Sequence, residues 1–269
     1  NRDYTWLVRA FTDNVSLDKL RVIYVESSYD LVDFFAIKSL GINTVLHYCQ
    51  FGVRDVDKDG TLDDVLNALK TTGLKGVIAT ADWVVKPDLQ TWVAKLDKHD
   101  SVIGIYTFDE PAGNKVSVAD QKTRVDLLRT MTKKDLWVTD GIDTILSEPK
   151  LYNGYDVVLL DNYAGAAATT EESVNIGLAQ ARQSMGFFKA YCKNAKIMPA
   201  APGFFGYGMP NDAVIEYSQI FGKTGNGDFA IFVWDGIGDN GVTGRIKTDS
   251  RLQALTKELA CFNYKSESY

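Results

Sequence analysis

Short runs of Val- and Ile-rich apolar residues recur along the chain, each followed by a longer segment whose apolar positions fall at helical spacing. That alternation predicts parallel strands buried on both faces, joined by helices that pack back onto the sheet. Eight strands are read: Arg21 to Glu26, Asn43 to Tyr48, Lys75 to Ala81, Val102 to Phe108, Asp135 to Asp140, Tyr155 to Asp161, Lys196 to Ala201 and Phe229 to Trp234. Helices are expected over Tyr29 to Leu40, Leu62 to Thr72, Leu89 to Lys98, Val118 to Thr132, Glu171 to Lys193, Asp212 to Gly222 and Ser250 to Cys261. Gly41 and Gly73 stand where a left-handed C-cap would turn a helix back to the next strand. Ser28, Asp88 and Asn211-Asp212 stand where N-caps belong.

Eight such units fit an α/β fold of the (β/α)8 TIM-barrel kind, read as a single domain over 1–269 with 1–20 as an N-terminal extension. Irregularity is expected between the fifth and sixth strands, where Gly141 to Gly154 is short and broken by Pro149. Thr5 to Phe11 is a further candidate strand. A doubly wound open sheet is the competing architecture, but no glycine-rich phosphate loop follows the first strand.

Composition narrows the function. The chain has 269 residues, 45% of them hydrophobic, enough for a substantial core. A net charge of −6 without a basic cluster argues against nucleic acid, and the longest apolar runs are far short of a bilayer span. No membrane association is expected, and a monomer is. The chain opens at Asn1, consistent with a processed mature protein or an excised domain; a secreted or extracellular setting is favoured. Three cysteines (Cys49, Cys192 and Cys261) show no zinc-ligand spacing and are read as buried free thiols, although Cys192 and Cys261 could meet in the fold. Only His47 and His99 are present, which disfavours a histidine triad or a multi-histidine metal centre.

The strand ends carry the chemistry. In a barrel they share one mouth, and they read Glu26, His47-Tyr48, Asp82-Trp83, Asp109-Glu110, Asp140, Asp161 with Tyr163, Phe204-Phe205 with Tyr207, and Trp234-Asp235. Carboxylates bond sugar hydroxyls and exchange protons, and aromatic rings bury the C–H face of a pyranose, so the set describes a carbohydrate cleft. Each residue also has a plainer role open to it. Asp140, Asp161 and Asp235 can serve turns, Trp83 and Trp234 can be core, and His47 can be a hydrogen-bonded polar residue.

The run Ile105-Tyr106-Thr107-Phe108-Asp109-Glu110-Pro111 resembles the fourth-strand motif of the large clan of retaining (β/α)8 glycoside hydrolases, in which Asn-Glu-Pro carries the acid/base glutamate. The resemblance implies glycoside hydrolysis of a poly- or oligosaccharide with Glu110 as general acid. The chain departs from that pattern in having Asp109 for the asparagine and no glutamate in the seventh strand. Asp161 and Asp235 are then the leading partner carboxylates, with Asp82, Trp83, His47, Tyr48, Asp109, Tyr163, Tyr207 and Trp234 as substrate contacts. A catalytically inactive carbohydrate-binding barrel is the alternative. A barrel lyase or aldolase finds no lysine inside a strand.

No cofactor is required by this reading. The stretch Asp55-Val56-Asp57-Lys58-Asp59-Gly60-Thr61-Leu62-Asp63 places Asp55, Asp57, Asp59 and Asp63 at the first, third, fifth and ninth positions of a calcium loop, with glycine sixth. Leu66 occupies the twelfth position, where a bidentate acid belongs. The same residues suit a solvated acidic loop that caps the helix at Leu62.

Overall fold

The computed structural model describes residues 19–49, 61–80, 86–141, 149–163, 194–206, 208–236 and 242–262, with scattered residues between 175 and 192. Eight parallel strands close into a barrel: β1 (Arg21–Val25), β2 (Thr44–His47), β3 (Lys75–Ala79), β4 (Val102–Asp109), β5 (Asp135–Gly141), β6 (Val157–Asp161), β7 (Lys196–Pro202) and, after a short β8 (Phe204–Gly206), β9 (Phe229–Phe232). β9 pairs with both β7 and β1, which removes every free edge. The eight apolar runs read from the sequence are these strands, within a residue or two at each end.

Outside lie α1 (Leu31–Ser39), α2 (Leu62–Thr72), α3 (Lys86–Asp97), α4 (Val118–Met131), α5 (Asn211–Lys223) and α6 (Ser250–Cys261). The described residues between 175 and 190 are helical, with Leu178 and Met185 buried two turns apart. Between β5 and β6 the described residues form a 3-10 element, Pro149–Gly154, and residues 142–148 of that link lie outside them. The sequence reading missed an antiparallel ribbon of β8 with β10 (Val242–Arg245).

Helix boundaries follow local chemistry. Thr61 caps α2 in a reciprocal box: its hydroxyl accepts from the Asp64 amide, while the Asp64 carboxylate accepts from the Thr61 amide at 2.7 Å. Gly73 ends the same helix at φ 72°, a left-handed conformation that costs glycine little. Ser28 is not the cap of α1, because Asp30 takes that position; Asp88 falls inside α3, and Pro210 precedes α5.

Alternation along the strands sorts side chains into two cores. Val22, Tyr24, Leu46, Val77, Tyr106, Trp137, Leu159, Met198 and Ala230 point into the barrel. Ile23, Val45, Ile78, Ile105, Val138, Val158 and Leu160 point out to meet the helices. Trp137 fills the barrel interior because Gly104 faces it; a Cβ at Gly104 would collide with the indole. Cys49 and Cys192 are buried thiols as expected, whereas Cys261, at the end of α6, is exposed. The candidate strand at Thr5 to Phe11 and the acidic loop from Asp55 to Gly60 lie outside the described residues.

Candidate functional site

The mouth at the C-terminal ends of the strands is shaped by an irregularity in β4. Tyr106 stands opposite Trp137, but the register then slips, so that Phe108 faces Val138 and Asp109 faces Thr139. Phe108 and Val138 both belong to the outer core. The bulge therefore turns Asp109 inward, where strict alternation would have placed Phe108. Glu110 follows at φ 42°, with its amide donating to the Thr139 carbonyl at 2.9 Å. That left-handed step, rare for a side chain larger than asparagine, brings the Glu110 carboxylate to the mouth as well. Two adjacent acids thus reach one site, although neighbours in a regular strand face apart.

Glu110 and Asp161 form a carboxyl–carboxyl hydrogen bond. Asp161 ends β6 on the inward register and is only 8% exposed. Burial, followed by the charge of Glu110, pushes its carboxyl well above the usual range, whereas the bond to Tyr163 opposes the shift. Glu110 is solvent-exposed as a residue, and partial desolvation of its carboxylate, then the charges of Asp109 and Asp140, raise it too. The hydrogen bond to Asp161 pulls Glu110 the other way, and the two carboxyls titrate as a pair that binds its proton more tightly than a free carboxylate does.

Tyrosines surround the pair. The Tyr106 hydroxyl donates to Asp109 Oδ1 at 2.6 Å, and Tyr48 also bonds that carboxylate. The Tyr24 hydroxyl and Thr139 Oγ1 lie 2.6 Å apart, linking β1 to β5 across the interior. Ring centroids of Tyr24, Tyr48 and Tyr106 lie 5.7–6.4 Å from one another. Tyr163 is half-buried and packs edge-on against Phe204 at 5.4 Å. Burial raises Asp109 above the usual carboxylate range, and these phenol bonds only partly offset it. Asp140 is raised by burial too; it points outward and accepts from the Tyr152 hydroxyl at 2.8 Å.

Of the residues singled out from the sequence, Glu110, Asp161, Asp109, Tyr48 and Tyr163 come together here. Asp235 does not join them. Its Oδ1 accepts from the Glu26 and Ser27 amides at 3.2 and 3.3 Å and its Oδ2 from the Ser28 hydroxyl, so the carboxylate is committed to the turn after β1. Trp234 is 3% exposed and packs in the outer core, which denies a sugar ring access to its face. His47 is fully buried: Nε2 donates to the Ser28 carbonyl at 2.9 Å and Nδ1 accepts from the Cys49 amide. Burial holds its pKa down to about 4, so it is a neutral structural residue rather than a substrate contact. Asp63 is exposed on the first turn of α2 and pairs with Lys95 at 2.7 Å. Asp82, Trp83, Tyr207, Asp55, Asp57 and Asp59 lie outside the described residues.

Tyr24, Tyr106 and Thr139 were missed by sequence reading. Polar-tipped residues inside otherwise apolar strands, on the inward register near the C-terminal end, are the signal that could have found them.

No family model matches the chain, and no curated protein matches it. Solved structures do. A β-glucuronidase from Ruminococcus gnavus in complex with a C6-substituted uronic isofagomine aligns over 90% of this chain at 12% identity and a TM-score of 0.61. The same enzyme with D-glucuronic acid gives 13% identity and 0.61; a further crystal structure of it gives 11% and 0.61. The chain spans about half the length of those chains. At this identity the likeness establishes the fold, a TIM barrel of the kind these glycosidases contain.

Proposed function

We propose that this barrel is a glycoside hydrolase that cleaves a poly- or oligosaccharide at the mouth formed by β4 and β6, with Glu110 and Asp161 as its working carboxyls. The observation that carries the reading is the hydrogen-bonded pair of acids, both shifted upward, set among tyrosine rings at the C-terminal end of the barrel. A pair that holds one proton has the acid that bond cleavage requires and an ionised neighbour. Asp161 passes that proton across their hydrogen bond to Glu110, which lies at the exposed side and delivers it to the leaving glycosidic oxygen. The negative charge left on the pair faces the positive charge that develops at the anomeric carbon. Water then adds to that carbon and its proton returns to the pair, which restores the starting state. Asp109, held by Tyr48 and Tyr106, bonds sugar hydroxyls, and its charge keeps the pair protonated.

A second reading, a carbohydrate-binding barrel without turnover, is favoured by one observation: Asp161 is only 8% exposed, which leaves the partner carboxyl little access to a bound sugar. Glu110→Gln separates the two. A panel of polysaccharides assayed for reducing ends and, in parallel, for binding should show cleavage by the parent chain, reduced about 10²–10⁴-fold in the variant with binding retained. Binding without cleavage by the parent supports the second reading, and neither activity on any glycan refutes both.

A further inference from the structure

Glu26 is an acid of the mouth that the pair on β4 and β6 leaves unused. Tyr24 points into the barrel and Val25 into the outer core, so alternation turns Glu26, one residue beyond β1, inward again. It is half-buried. Burial and the charge of Asp109 raise the Tyr48 hydroxyl and the charge of Glu26 adds to them, which places the Glu26 carboxylate near that ring. The chain around it is mounted firmly. Asp235 accepts from the Glu26 and Ser27 amides at 3.2 and 3.3 Å, and Lys247 ties the same turn down through Ser28 at 3.2 Å and Asp33 at 2.8 Å. Gly236, at φ 94°, lies so close to Glu26 that a Cβ there would strike both its Cβ and its Oε2.

The order of strands sets Glu26 across the mouth from the pair. β1 stands three strands from β4 in one direction and three from β6 in the other, with β5 opposite. Glu110 and Asp161 flank β5, so Glu26 faces both. The space between is open on the β5 side: Gly141 ends β5 on the inward register, and no described residue comes within 4 Å of where its Cβ would stand. One layer below, the Tyr24 hydroxyl reaches from β1 to Thr139 Oγ1 on β5 at 2.6 Å and closes the interior. The opening therefore has a floor of Tyr24 and Thr139, the acids of β4 and β6 on one side and Glu26 on the other.

Glycoside hydrolysis needs a group on each face of the sugar, an acid at the leaving oxygen and a base or nucleophile on the far side. Asp161 is only 8% exposed and is bonded to Glu110, which leaves the far side to another carboxylate. We propose that Glu26 is the base of the hydrolysis and that the reaction inverts the anomeric configuration. This rests on the reading of the mouth as a glycosidase site and adds a catalytic residue to it. Because Oε2 lies back against Gly236, a water fits between Glu26 and the sugar, the arrangement of inverting rather than retaining enzymes. Glu110 gives its proton to the leaving oxygen as the C–O bond breaks with its electron pair on that oxygen. Water bonds the anomeric carbon from the β1 side, and Glu26 takes a proton from it. Exchange through solvent returns that proton from Glu26 to the pair, which balances the cycle.

Gluco-, xylo-, manno- and galacto-oligosaccharides test it, with proton NMR of the freshly released reducing end on the one that the parent cleaves fastest. The first product should carry the inverted anomer. Glu26→Gln, equal in size, should keep the parent's melting temperature and lose about 10²–10⁴-fold in kcat. Glu26→Ala should be as slow, and sodium azide should restore part of its rate by forming a glycosyl azide of inverted configuration, because a small anion attacks without a base. A residue that only supported the turn would give no azide product. A retained anomer, an unchanged kcat in Glu26→Gln or an azide-insensitive Glu26→Ala overturns the proposal and leaves the hydrolase reading standing. No cleavage of any oligosaccharide by the parent removes both.

Discussion

The two ends of the barrel use the same residue type in opposite ways. At the N-terminal end Asp228, before β9, is 8% exposed and fully engaged: it accepts from the Leu20 amide at 2.7 Å and pairs with Lys196 at 3.0 Å and Lys19 at 3.5 Å. Nearby, Asp156 pairs with Arg129 at 2.6 Å and accepts from the Leu136 amide. At the C-terminal end Asp161 is equally buried, yet its neighbours are another carboxyl and a phenol. An acid placed for stability is neutralised by its surroundings. An acid left beside like charge costs stability, and the proposed site rests on that contrast between floor and mouth.

Substitution at each end should break this contrast in opposite directions. The largest effect expected is on turnover: Asp161→Asn should lower kcat about 10²–10⁴-fold, measured on whichever glycan the parent cleaves, because the pair can no longer hold and replenish an exchangeable proton. An unchanged kcat would assign the chemistry to other groups. Asp228→Asn should leave turnover alone but destabilise the fold by about 1–2 kcal/mol in urea unfolding, a figure already discounted for the exposure of both lysines. A fold unaffected by it would show that the floor pairs are ornamental.

The smallest effect is in the pH dependence of stability. Asp161 and Glu110 have folded-state pKa values above those of the unfolded chain, so the native state binds the extra proton. Their contribution is fully present below the ordinary carboxylate range and is lost as pH rises through the raised values. His47, depressed to about 4, acts in the opposite sense: its contribution is present above the ordinary histidine value and is lost as pH falls toward 4. The difference between parent and Asp161→Asn cancels the histidine. From pH 9 down to pH 5 the parent should gain melting temperature relative to the variant, and a pH-independent difference would contradict the raised carboxyl.

Local chemistry explains how much of this could be read in advance. Thr44 to His47 or Val157 to Asp161 can be strands and little else, because each is a short β-branched or leucine-rich run buried on both faces and bounded by helix stops. The same alternation made Glu110 and Asp161 visible as polar residues at strand ends. Ser28, Trp234 and Asp235 were misread for one shared reason: their partners lie about 200 residues away or on the far side of a strand. Asp235 has the spacing of a strand-end acid, but only the closure of β9 against β1 brings the Ser28 hydroxyl and the amides after β1 to its carboxylate.

The sequence by itself determined the eightfold alternation, the capping of α2 and the gathering of acids and aromatics at one end, because periodicity and capping act between neighbours along the chain. Tertiary structure alone decided which acids face inward. The slip between Tyr106 and Phe108 exists only in the pairing of β4 with β5, and it turns Asp109 into the barrel and brings Glu110 to Asp161. A register shift of one residue reverses the face of every side chain beyond it, and no spacing within a single strand records where its neighbour will slip.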